Sequence, residues 1–181
     1  MELYSTSSDV TRADLVDSNG YTIYRITTES SFTKSKTTIA RFVPQGPNGP
    51  QPVVIAGITW RNLHDDEITY RGQTHKAKSL IHKHGAWTEK RDFTGASGRA
   101  YYWKEGVLYI SNGIEAGRWH NKSHGFFSQA HAAYLQLSNP EILNDLDDII
   151  LVMVYHFSKL AEDTNAAMAG ATAGGAVAAS G

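Results

Sequence analysis

Basic residues are concentrated in the segment from Arg71 to Arg91. It carries six basic residues and the single acidic residue Glu89, a local charge of +5. The six are Arg71, Lys76, Lys78, Lys83, Lys90 and Arg91. Lysine and arginine bind phosphate groups through charge-assisted hydrogen bonds, so the segment predicts a site for a phosphoinositide headgroup, another phosphate-bearing ligand or RNA. The alternative is a solvated face whose charge is offset by acidic residues elsewhere.

Histidine pairs point to a second chemistry, metal binding. His82 and His84 alternate with Lys83, so on a strand both imidazoles would share one face, about 6.6 Å apart at roughly 3.3 Å per residue. With Glu89 the spacing is close to the first metal motif of cupins, but the glycine of that motif falls at Lys76 and the second motif is absent. His82, His84 and Glu89 are therefore candidate ligands of a divalent metal. Exposed histidines on a polar strand are the alternative interpretation.

Other histidines are candidates for acid–base chemistry. His120 and His124 have the i, i+4 spacing that places two side chains on one helical face, although the neighbouring glycines argue against a helix. His156 interrupts an apolar run, where a polar side chain needs a partner or an opening of the core. A core histidine with a satisfied hydrogen bond is the alternative for His156. The candidate catalytic residues are His82, His84, His120, His124 and His156.

Composition restricts the class of protein. The chain has 181 residues, 41% of them hydrophobic, which suffices for one packed core. A net charge of -1 argues against a dedicated nucleic-acid-binding protein, and the lack of cysteine excludes a thiol nucleophile or a zinc finger. The most apolar run has seven residues, whereas a membrane-spanning helix needs about 20. Since residues 1–11 do not resemble a signal peptide, we expect a cytoplasmic protein whose contact with membranes, if any, is peripheral.

The elements that must position these residues are mostly strands. From Tyr21 onward, short segments rich in β-branched and aromatic residues alternate with turn residues, which is typical of an all-β fold. Eight strands are predicted, at residues 21–28, 37–43, 52–60, 67–71, 78–84, 99–104, 107–111 and 130–137. The basic and histidine-rich segment would then lie on strands and their connections.

A helix is predicted after Pro140, because Asn139, Pro140 and Glu141 are typical of a helix start. Residues 149–155 are apolar around the whole helical circumference, so protein must enclose them. The preceding strands can supply that wall, which predicts a mainly β fold, a closed antiparallel β-barrel around a buried C-terminal helix of about residues 145–163. A buried strand at 149–155 is the alternative. Residues 1–163 would form a single domain, and 164–181 a flexible Ala/Gly-rich tail.

Several segments resemble a domain family of unknown function from mushroom-forming fungi, over about residues 15–160. They are Asp17, Gly20, Tyr24 and Thr27, then residues 37–39, 55–60, 91–94, 98–104 and 146–155. That family is similar to the tubby-like and LURP-one-like superfamily, a closed antiparallel barrel around a central C-terminal helix. The resemblance implies a fold and no catalytic motif, and some tubby-like domains bind phosphoinositides. The histidine-rich stretches and the Ala/Gly tail depart from the family pattern.

Two functions are therefore expected from the sequence. The first is an intracellular binding module whose basic strand region holds an anionic ligand, a phosphoinositide or another phosphate-bearing molecule. The second is an enzyme acting on a small molecule, in which histidines with Glu89 or Asp66 hold a divalent metal or act as acid and base. No cofactor is certain, and a divalent metal belongs to the second function only.

Overall fold

The fold is one large antiparallel sheet with a long C-terminal helix. The computed structural model describes residues 1–30, 35–44, 49–61, 64–85, 89–123 and 131–175, with side chains described up to Met168. The strands are β1 Glu2–Ser5, β2 Ala13–Val16, β3 Thr22–Ser30, β4 Ser35–Pro44, β5 Pro50–Trp60, β6 Glu67–Tyr70, β7 Gln73–Lys76, β8 His82–Lys83, β9 Arg91–Thr94, β10 Ala100–Lys104, β11 Val107–Ile110, β12 Glu115–His120 and β13 Tyr134–Leu137. The helices are α1 Ala77–Leu80, a 3-10 helix Pro140–Asp145 and α2 Leu146–Gly175.

The sheet is open at one seam. Its order is β7-β6-β5-β4-β3-β2-β1-β13-β12-β11-β10-β9-β8, and β1 pairs with β13 to join its two halves. The sequence predicted a closed barrel, but no pairing joins β7 to β8 within the described ranges, so these strands are the two ends of the sheet. The physical reason is local, because α1 takes up the four residues after β7 and β8 has only two residues.

α2 confirms the prediction of a buried helix, and the alternative of a strand at 149–155 is wrong. Each of residues 149–154 is at most 4% exposed. Strands from both halves of the sheet contact the helix: Trp60 of β5 stacks on Tyr155, and Phe157 lies against Trp103 of β10. The sheet therefore curves around α2. No helix in the described part of the chain is long and apolar enough to cross a membrane.

The start of α2 is held by the turn between β9 and β10. The Ser97 amide donates to Asp145 Oδ1 at 2.7 Å, and the Ala96 amide donates to Asp148 Oδ2 at 3.0 Å. A Cβ atom on Gly95 would lie 2.5 Å from Cγ of Asp145, so only glycine fits this approach. Burial opposes ionisation of Asp145, yet the hydrogen bonds from Ser97 and Tyr101 hold its pKa below the ordinary value.

Several element boundaries differ from those predicted. Each of the eight predicted segments contains a strand, but at residues 78–84 the chain first forms most of α1 and then only the two-residue strand β8. Five further strands, β1, β2, β7, β9 and β12, were not predicted. α2 extends to Gly175, beyond the predicted end near residue 163, so most of the proposed tail continues the helix. Residues 176–181 lie outside the described residues, and the flexibility of the tail stays a prediction.

Candidate functional site

A cleft of about 380 Å³ lies at the open seam of the sheet, between α1, β8, β9 and the middle of α2. The residues that line it are Lys78, Ile81, His82, Lys83, Arg91, Tyr155, Lys159 and Asp163. Four of these eight side chains are cationic and one is a carboxylate. The structure thus brings three of the six predicted basic residues, Lys78, Lys83 and Arg91, to one place.

Arg91 is the buried cation of the cleft. The sequence placed it in an exposed basic region, but it is 3% exposed, because it shares the inward face of β9 with Phe93. Its Nη1 donates to Nδ1 of His156 at 3.1 Å. No carboxylate among the described residues forms an ion pair with it, and burial lowers the pKa of its guanidinium. The charges of Asp163, Glu89 and Glu162 act on it from beyond ion-pair distance and oppose this lowering of the pKa. An arginine stays charged even so, and a buried charge without a direct ion-pair partner is costly, so this cation attracts an anion.

His156 stays neutral beside this cation. It is fully buried, and burial, followed by the charge of Arg91, lowers its pKa to about 3. Its Nδ1 can therefore accept the hydrogen bond from Arg91 at neutral pH. Nε2 has no partner among the described side chains, and the ring lies beside Trp103. His156 does not line the cleft and contacts it through Arg91.

The cleft lysines are each paired with a carboxylate. Lys78 Nζ lies 2.8 Å from Asp65 Oδ2, and Lys83 Nζ lies 3.6 Å from Asp163 Oδ2. These pairs are exposed, and exposed ion pairs contribute only about 0–1 kcal/mol. Both lysines can therefore turn toward an incoming anion at little cost. The alternative of a solvated face whose charge is offset by acidic residues stays a prediction.

Lys159 is a cleft residue that the sequence did not identify. Its side chain is 21% exposed. Its Nζ lies 2.8 Å from Asp66 Oδ2 and over the ring of Trp60. Burial opposes the charge, yet the hydrogen bonds to Asp66 and Glu162 raise the pKa of Lys159. One signal in the sequence could have found it, because residues 155, 159 and 163 are spaced by four and share a helical face.

The other predicted basic residues lie outside the cleft. Lys76 shares Asp65 with Lys78, at 3.8 Å. Lys90 pairs with Asp92 at 3.2 Å and lies over the ring of Tyr102. Arg71, in the β6–β7 turn, reaches Asp148 at 3.4 Å. The six residues therefore do not form one patch.

The predicted metal ligands are not brought together. Within the described ranges, no group of three histidine or acidic side chains could hold a metal ion. His84 Nε2 instead contacts the carboxylate of Asp92, and His82 lines the cleft. Glu89 offers its backbone carbonyl to Arg91.

Of the second histidine pair, the structure describes His120 alone. His120 Nε2 lies 3.1 Å from Gln136 Oε1, and its ring stacks on Tyr134. His124 lies outside the described residues. His120 therefore has a hydrogen-bonded, stacked environment on the sheet and stays apart from the seam.

A comparison with protein families matches most of the chain to one family. Residues 8–162 match DUF6593, a family of unknown function. The chain belongs to this family. The DUF6593 match spans both halves of the sheet and every cleft residue from Lys78 to Lys159, and it ends one residue before Asp163. Neither a curated protein nor a solved structure matches the chain.

Proposed function

We propose that this protein is a binding module for a phosphate-bearing anion, held in the cleft at the open seam. The observation that carries the proposal is Arg91, a buried guanidinium in the cleft wall with no carboxylate partner among the described residues. Lys78, Lys83 and Lys159 add ammonium donors around it. The module acts by binding, in the cytoplasm or at a membrane surface.

Phosphate suits this donor set better than a carboxylate does. Arginine presents a planar fork of N–H donors, which matches two oxygens of one phosphate, and lysine adds a charge that can approach from several directions. A phosphate monoester has three terminal oxygens, so it can engage Arg91 and two lysines together. The exposed pair of Lys83 with Asp163 would open in exchange for the new contact.

The proposal also includes a relation of the fold to a known superfamily. One antiparallel sheet curved around a C-terminal helix supports a relation to the tubby-like and LURP-one-like superfamily. We include in the proposal a fungal source and closure of the sheet into a barrel, as that superfamily has. A ligand at the seam would then lie where β7 and β8 approach closure.

Titration calorimetry with inorganic phosphate and inositol trisphosphate tests the proposal, together with sedimentation of phosphatidylcholine vesicles with and without phosphoinositide. We expect Arg91→Met and Lys83→Gln each to weaken binding about tenfold or more, the loss of one charge-assisted contact. Arg91→Met replaces a buried charge by an apolar side chain, which folds are known to tolerate, and Lys83 is exposed.

Lys104→Gln is the matched control, because this exposed lysine of β10 pairs with Glu105 and lies outside the cleft lining. Its affinity should equal that of the unmodified protein. Wild-type binding should also weaken as salt rises, since the contacts are ionic. No binding of any phosphate probe, or an equal loss in Lys104→Gln and Lys83→Gln, would contradict the proposal.

A second candidate function is an enzyme that uses a histidine as general base. The observation that favours it is the contact of His84 Nε2 with Asp92, which would orient the ring and leave Nδ1 for proton transfer. Asp92 lines a separate cleft of about 290 Å³ with His82 and Lys90. Hydrolysis of p-nitrophenyl acetate that is lost in His84→Gln but kept in His131→Gln, an exposed histidine elsewhere, would support this function. Stoichiometric metal on elemental analysis would also support it, whereas equal rates in both variants would exclude it.

A further inference from the structure

A second cavity lies next to the anion cleft at the same seam. It has a volume of about 250 Å³ and lies between the β6–β7 turn, α1, β9 and the first turns of α2. Its apolar wall consists of Leu80, Ile81, Phe93, Leu151 and Val152. Such a wall fits an aliphatic or aromatic group, which is removed from water when it binds.

Of the polar residues that line this cavity, Tyr70, Arg71 and Asp148 are partnered with one another, and Gln73, His75 and Thr94 line it as well. Asp148 Oδ2 accepts from the Ala96 amide at 3.0 Å and from Arg71 Nη2 at 3.4 Å. Arg71 also lies over the ring of Tyr70, and its Nη2 donates a hydrogen bond to the Tyr70 hydroxyl at 3.2 Å. Since these charges satisfy one another, the surface that is left for a ligand is mainly apolar.

The cavity and the anion cleft meet at Ile81, which lines both. They also follow one face of α2, because Leu151 lines the cavity while Tyr155 and Lys159, one and two turns later, line the cleft. A molecule lying across Ile81 would therefore have one end beside Arg91 and the other against Leu80 and Phe93.

From this adjacency we infer that the ligand is a phosphate monoester with a single apolar chain or ring. The inference rests on the proposed function and adds the chemistry of the ester group. The phosphate would bind to Arg91, Lys83 and Lys159. The apolar group would enter the second cavity. The cavity volume of about 250 Å³ corresponds to about eight groups the size of a water molecule, at roughly 30 Å³ each. One chain of moderate length fits that volume, whereas the two tails of a diacyl lipid do not.

Calorimetric titration of the full chain with inorganic phosphate, butyl phosphate and hexyl phosphate tests this inference. We expect affinity to rise about fourfold for each methylene that enters the cavity, from about 0.8 kcal/mol per buried CH₂. Inorganic phosphate should bind most weakly of the three.

Variants that fill the second cavity isolate the contribution of the ligand's apolar chain to affinity. Leu80→Trp places a larger side chain at a partly exposed position, and Val152→Phe does so from the helix. Neither residue lines the anion cleft, so we expect both variants to bind inorganic phosphate as the unmodified protein does while the gain with chain length is lost. Leu143→Trp, a partly exposed leucine outside the cavity, is the control and should keep the full gain.

The outcomes separate the two proposals. Equal affinity for phosphate and hexyl phosphate, or a chain-length gain that survives in both Leu80→Trp and Val152→Phe, would overturn the inference and leave the phosphate site in place. Binding of none of the three probes would overturn the proposed function and this inference with it.

Discussion

Arg91 Nη1 lies 3.1 Å from His156 Nδ1, so a permanently charged side chain and a titratable one share a single hydrogen bond in the core. The bond exists only when Nδ1 is unprotonated, because a protonated imidazole would present a second donor to the guanidinium. Burial and the nearby charge lower the pKa of His156 to about 3. The fold therefore holds Arg91 in place through a histidine that must stay neutral.

Acid should weaken the fold through His156. In the unfolded chain its pKa returns to about 6.5, so between pH 6.5 and about 3 the unfolded state binds more protons. The free energy of unfolding should therefore fall as pH drops below 6.5, by up to about 1.4 kcal/mol per pH unit. Urea unfolding from about pH 7 to about pH 5 measures this slope. His156→Gln, whose amide oxygen can accept from Arg91, should flatten it, and identical slopes in the two proteins would refute the prediction.

Gly95 should tolerate no side chain. A Cβ there would lie 2.5 Å from Cγ of Asp145, whose carboxylate is fixed by Ser97 and Tyr101. We expect Gly95→Ala to lower the free energy of unfolding by about 1–3 kcal/mol, the usual cost of overpacking. Gly57→Ala is the matched control, because its Cβ would meet nothing nearer than 3.7 Å. Chemical denaturation of both variants checks this, and equal stabilities would show that Asp145 can move aside.

Asp66 should contribute more to stability than the other acidic partner of Lys159. It is 6% exposed and accepts from the Arg61 amide at 2.9 Å as well as from Lys159 at 2.8 Å. Breaking a buried pair typically costs about 3–5 kcal/mol, and Asp66→Asn retains part of the hydrogen bonding, so we expect a loss of about 2–4 kcal/mol. Glu162→Gln alters the exposed partner and should cost less than about 1 kcal/mol. Denaturant midpoints compare the two, and a reversed order would contradict the burial argument.

Removal of residues 164–181 should leave the fold intact. The side chains of residues 161–168, at the end of the described part, are all exposed, so the helix makes no core contact there. We expect a chain ending at Asp163 to unfold within about 0.5 kcal/mol of the full chain. A chain ending at Tyr155 loses Phe157 and Lys159 and should be destabilised strongly. Thermal unfolding followed by circular dichroism distinguishes them, and a large loss in the longer truncation would give the tail a structural role.

The sequence predicted the core better than the site. Residues 149–154 are apolar on every side of the helix, which required an enclosing wall, and the wall is present. The open seam was not predicted, because residues 78–84 were expected to form one continuous strand. In the fold, the Ala77 amide instead donates to the Asp66 carbonyl at 2.8 Å, and a helical turn follows.

The sequence also did not show which charged residues pair with one another in the fold. Asp163 is 80 residues from its partner Lys83, so no local count could pair them. The burial of Arg91 did have a signal, since alternation along β9 puts it on the same face as Phe93. The basic segment therefore predicts the region of the anion site, and the inward-facing arginine gives the proposed site its position within that region.

The seam between β7 and β8 has a mechanical consequence. The two end strands of the thirteen-stranded sheet, β7 and β8, are joined in the chain by the short helix α1. A ligand that spans both cavities would contact β7 through Gln73 and His75 and β8 through Lys83, so its binding would limit the relative motion of the two end strands.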